Sequence, residues 1–228
     1  MQPEQPQDRE LGSAIVRSIG SAEAMGALKD LGEVALDSAL DDGVLKDLPL
    51  VGWAFGGARV VRQVRDRLFL KKLASFFSGL ATTPLRTRQS FVNEISDDPA
   101  FRQRVGDGLV LLIERHEHFK KSSALGVAFA AYVEGAINYA SFQEVATLID
   151  RSSPADLSAL AGRTEVDEPL DEAVGLGLAR VGAAHAKHAL VMHSNDDGTA
   201  TFETHTRAEY HLTVAGRSLA SLLTRHST

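Results

Sequence analysis

Residues 122–137, SSALGVAFAAYVEGAI, form a run with almost no polar side. A helix that is apolar all round has no face to give to water, so in a soluble protein it belongs in the centre of a bundle. The other helices must then each supply one apolar face. A chain of 228 residues, 44% apolar and 24% charged, is long enough and ordinary enough in composition to build such a core unaided.

Stretches that meet this requirement flank the run on both sides. After Ser21, Met25, Leu28, Leu31, Val34, Ala35 and Ala39 recur mostly three or four apart. Asp98-Pro99 reads as an N-cap with proline at the first helical position. Phe101, Val105, Leu109, Leu112 and His116 follow as one stripe, so Leu109 and Leu112 are expected in the core. Ser141 and Glu144 have the spacing of a capping box ahead of Val145, Leu148 and Ile149. Ser153-Pro154 opens another short helix, and an acidic one follows from about Asp167 to Arg180. The texture then changes. Two apolar or β-branched runs surround Asn195-Asp196-Asp197-Gly198, a hairpin signal, before a last amphipathic helix. The expected fold class is mainly α: a mobile, Gln- and Pro-rich segment over residues 1–20, a helical bundle over 21–140, and a helical module with a small β-hairpin over 141–228.

Residues 48–72, LPLVGWAFGGARVVRQVRDRLFLKK, carry six cations against one acid. Their apolar opening, through Ala58, is about half the ~20 residues needed to span a bilayer. Val60, Val61, Val64 and Leu68 share one helical face, opposite Arg59, Arg62 and Arg65. Phe69, Leu73, Phe76 and Leu80 form a second, rotated stripe, which predicts a break near Asp66-Arg67 or a helix burying different faces at its two ends. The favoured reading is a core helix, with Trp53 and Phe55 inside and a basic interaction face of Arg59, Arg62, Arg65, Arg67, Lys71 and Lys72. An anionic membrane surface is the alternative partner for that face, because aromatic and cationic residues stand together there. Nucleic acid is less suited, since the aromatics are not interleaved with the cations.

Near the C-terminus, Tyr210-His211-Leu212-Thr213-Val214-Ala215-Gly216-Arg217-Ser218-Leu219 is similar to the Tyr-x-Leu-Thr-x-x-Gly-x-x-Leu ending of many winged-helix proteins, in which a wing strand turns into a closing helix. Leu178-Ala179-Arg180-Val181-Gly182 resembles the end of their third helix. The resemblance covers about residues 141–226 and implies three helices, a wing hairpin and a closing helix. Such modules often place the third helix in the major groove of DNA, where cations neutralise phosphates. Here the corresponding segment carries Glu165, Asp167, Glu168, Asp171 and Glu172. The implied fold is therefore joined to a charge that disfavours duplex DNA and suits a protein partner.

The chain has no cysteine, which excludes disulfides, thiolate metal sites and a thiol nucleophile. No phosphate-cradling glycine motif and no serine-nucleophile elbow occurs, so no catalytic residue and no cofactor is expected. An enzyme with an unrecognised site is the remaining alternative. His185, His188 and His193 are close in sequence and are the weak candidates for a metal, but they meet no standard ligand spacing. The polar, acid-bearing start MQPEQPQDRE does not read as a secretory leader, and the expected compartment is the cytoplasm. The resulting expectation is a non-enzymatic regulatory protein that binds other proteins, with homo-oligomerisation left open.

Overall fold

The computed structural model describes residues 6–29, 64–163, 168–192 and 204–225. Among these the chain is mainly helical, with one small antiparallel pair of strands. It divides into two compact units, Met1–Phe142 and Gln143–Thr228.

The first unit holds α1 (Pro6–Ile19), α2 (Ala22–Lys29), α3 (Val64–Leu80), α4 (Leu85–Ser96), α5 (Pro99–Arg115) and α6 (Phe119–Val133). The all-round apolar run is α6, and every residue from Ala124 to Ala131 is buried, as its pattern requires. Two close helix pairs organise this unit. A Cβ added to Gly126 would collide with the Phe76 carbonyl oxygen, and one on Gly79 would collide with that of Ser123. The backbones of α3 and α6 are thus in direct contact, closer than the 8–10 Å axis separation usual when side chains intervene. Likewise α1 lies on α5 with a Cβ on Gly106 only 2.6 Å from the Gly12 carbonyl oxygen. Phe129, fully buried on α6, has the rings of Phe76, Phe91, Tyr132 and Phe142 around it at centroid distances of 5.3–5.8 Å.

Several expectations are corrected in this unit. Residues 1–20 are not simply a mobile lead: α1 begins at Pro6 and buries Ala14, Ile15, Val16 and Ile19. The apolar residues of this helix are concentrated in its second half, behind a polar start that hides the pattern in the sequence. On α3 the helix runs without a break through Asp66-Arg67, and Leu68 is 45% exposed. Of the second stripe, Leu73, Phe76 and Leu80 are buried, joined by Leu70 and Phe77, whereas Phe69 is only half-buried. Asp98 does cap α5, accepting a hydrogen bond from the Phe101 N–H at 2.9 Å. Leu109 is core, but Leu112 is only half-buried, because the face that meets neighbouring helices is Val105, Gly106, Leu109, Val110 and Ile113. Trp53, Phe55, Val60 and Val61 lie outside the described residues.

Helix α7 (Tyr139–Arg151) enters the second unit, which continues through α8 (Pro154–Ala161), α9 (Glu172–Val181), β1 (Ala184–Met192), β2 (Thr204–Leu212) and α10 (Val214–Arg225). The capping box expected at Ser141 is displaced. Ser141 sits inside α7, and Asn138 caps it, its Oδ1 accepting from the Ser141 N–H at 2.9 Å. A complete box forms instead at Ser153 and Asp156, ahead of α8. The acidic helix starts later than Asp167, with Asp171 as N-cap. The strands pair antiparallel from Ala184 with Leu212 to Met192 with Thr204, and the expected turn at Asn195–Gly198 lies outside the described residues.

The Leu212-Thr213 junction has a physical task. Gly182 ends α9 in the left-handed conformation at φ 85°, which glycine adopts without a Cβ penalty. Thr213 then binds this end to the start of α10: its N–H donates to the Ala183 carbonyl at 2.9 Å, and its hydroxyl accepts from the Gly216 N–H at 3.1 Å. Gly216 is pressed on the same Ala183 carbonyl oxygen, where no Cβ fits. Leu157, Leu160, Leu178, Leu212 and Leu219 make the apolar interior of this unit.

Candidate functional site

In the second unit, acidic groups from two segments meet. Leu170 forms an isolated antiparallel bridge with Tyr210 of β2, its N–H donating to the Tyr210 carbonyl at 2.8 Å. That bridge brings the approach to α9 beside β2. Pro169, Leu170, Asp171 and Glu172 face Ala208 and Glu209 across an open cleft of about 410 Å³. Asp171 is held in place as the N-cap, with Oδ1 accepting from the Ala173 N–H at 3.0 Å. Glu168 is exposed beside them, its backbone carbonyl accepting from Arg163 Nη2 at 2.7 Å. Asp167 and Glu165 lie outside the described residues. One turn beyond Glu172, Leu176 is 47% exposed, and the only cation in the last turn is Arg180. The outward face of α9 therefore reads Glu172, Ala173, Leu176 and Arg180: acid first, apolar in the middle, one cation at the end.

Sequence spacing identified the acids of α9 but missed Glu209 and Leu170. They join the site only through the Leu170–Tyr210 bridge, which has no signal in a local pattern. Gly175 is the local signal that could have pointed to it. A Cβ there would run into the Tyr210 side chain, so the glycine is what lets α9 approach β2.

The basic face is only partly described. Arg59 and Arg62 lie outside the described residues, and Arg65 is placed on α3 by its backbone alone. Arg67, Lys71 and Lys72 are half-buried on α3, with exposed Leu68 on the same side. Lys72 Nζ donates to the Glu114 carbonyl at 2.9 Å, placing a cation at the C-terminal end of α5, where the helix dipole favours it. At least one member of the basic face thus has a structural task.

His185 is exposed on β1 opposite His211, with ring centroids 6.1 Å apart. His188 lies further along β1 in register with Ala208, and His193 is outside the described residues. Among the described residues no group of three potential ligands gathers closely enough for a metal ion. No described helix is long and apolar enough to cross a membrane.

In the first unit, half-buried Tyr132 and Tyr139 lie with ring centroids 5.5 Å apart. Burial raises both phenols above their ordinary value of 10.0. Tyr139 and Glu94 push Tyr132 further up, while Arg104 partly offsets the rise at Tyr139. In the alkaline range the folded state keeps protons that the unfolded chain releases. The stability these neutral phenols contribute is present in full below the unfolded value and is lost as pH rises through the folded one. Absorbance titration near 295 nm is expected to show a late-ionising component that diminishes in Tyr132→Phe and again in Tyr139→Phe. Unchanged curves would contradict the burial of these rings.

Comparison with protein-family models, with curated proteins and with solved structures finds no match.

Proposed function

We propose that this protein acts by binding another protein, and that the C-terminal unit is a winged-helix-like module whose third helix, α9, is the contact surface. The helix-helix-helix-hairpin-helix order and the Leu212-Thr213 junction support the winged-helix reading. The observation that carries the functional part is the outward face of α9, where Leu176 is 47% exposed behind Asp171 and Glu172. An exposed leucine on a helix is the kind of apolar anchor that a partner's pocket covers. The acids in front of it stand where a DNA-reading helix would need cations, and each repels phosphate. The reading is non-enzymatic. An intact-protein titration against random labelled duplex at about 0.15 M salt is expected to give no submicromolar binding. Submicromolar binding that weakens steeply with salt would contradict the charge argument.

A second reading rests on Leu68, exposed on α3 beside Arg67, Lys71 and Lys72. Apolar and cationic side chains together suit an anionic membrane surface. Co-sedimentation with vesicles containing phosphatidylserine, and not with neutral vesicles, would favour it over the first.

A further inference from the structure

Where α1 ends against the turn between α3 and α4, three polar side chains are enclosed in an otherwise apolar interior. Arg88, on α4, is 5% exposed; Ser18, in the last turn of α1, and Thr83, in the turn after α3, are 2% exposed each. One guanidinium holds the two segments together: Nη1 donates to the Ile19 carbonyl at 2.6 Å, and Nε to the Thr83 carbonyl at 3.1 Å. Thr83 is thus tied to the guanidinium through its own carbonyl, and Ser18 is the chain neighbour of the other bonded residue, Ile19. Burial lowers the Arg88 pKa, but guanidinium starts so high that it keeps its proton at any physiological pH. Part of its charge is answered by the helix dipole, since Ile19 is the last residue of α1. The hydroxyls of Ser18 and Thr83 make no hydrogen bond within the protein. Burying even one such group without a partner is costly, and native interiors rarely leave it so.

We propose that Ser18, Thr83 and Arg88 enclose an internal hydration site, at which an ordered water completes the two hydroxyls and fixes the end of α1 to the α3–α4 turn. Water suits the site better than a small anion. A water can donate to a carbonyl or hydroxyl and accept from another donor at once, and two to four polar partners are what a buried water requires.

The test uses the intact chain and two variants that delete a hydroxyl with little change of shape, Ser18→Ala and Thr83→Val. If a water bridges these groups, each variant removes one of its partners. The unfolding equilibrium should then shift toward the unfolded state by roughly threefold to tenfold, and the double variant should cost less than the two single effects combined, because both act on one water. Oxygen-17 magnetic relaxation dispersion, which counts trapped waters, should lose one in the double variant. If the hydroxyls are dry, deleting them removes an unmet desolvation cost, so stabilised variants with an unchanged water count would overturn the proposal. A crystal soaked in bromide that shows the anion at this node would overturn it too.

Discussion

Gly126→Val is expected to destabilise the protein by about 3 kcal/mol or more. The position is buried in the middle of α6, and the new Cβ would occupy the space of the Phe76 carbonyl oxygen. That oxygen belongs to helical backbone, which cannot swing aside as a side chain can, so α3 and α6 must separate to admit the valine. Their separation would loosen the ring packing of Phe76 against Phe129. Gly108→Ala supplies the contrast. Nothing lies within 4 Å of a Cβ there, within helix α5. Removing a flexible residue from an open helical position should stabilise by up to about 1 kcal/mol. Urea melts of the two variants should move in opposite directions; equal shifts would mean that the α3–α6 contact is not as close as described.

Phe129→Ala carries a comparable expectation for a different reason. The side chain is fully buried with four aromatic rings around it, so truncation loses both transfer energy and packing, about 3 to 5 kcal/mol. Rings held by several helices cannot collapse readily into the gap, which places the expected value in the upper part of that range. Phe129→Leu, which keeps most of the volume, should cost clearly less. A melt showing the two substitutions equal would place Phe129 outside the centre of the core.

The features legible in the sequence are those set by neighbours along the chain. The apolar run at residues 122–137 announced α6, Asp98-Pro99 announced the start of α5, and Ser153-Pro154 the start of α8. Polar composition at its start concealed α1, although Ile15 and Ile19 in its second half are fully buried. Leu68 looked buried because it continues the spacing of Val60, Val61 and Val64, but which stripe of α3 is covered is decided by where α6 lies. The same limit applies to the candidate site. Asp171 and Glu172 were visible as an acidic run, whereas Glu209 arrives from a strand, and the Ile19 and Thr83 carbonyls meet at Arg88 from separate segments. Tertiary contact creates those groupings, and no local spacing encodes them.

The proposed role of α9 is tested most directly by comparing the intact protein with Leu176→Asp and Glu172→Lys as baits in nuclease-treated lysate of its own cells, with captured proteins quantified side by side. Both positions are exposed, so the variants should melt like the wild type. The account predicts a protein captured by the wild type, depleted at least tenfold by Leu176→Asp, and reduced by Glu172→Lys. Equal capture by all three baits, or no protein captured by the wild type, would contradict it.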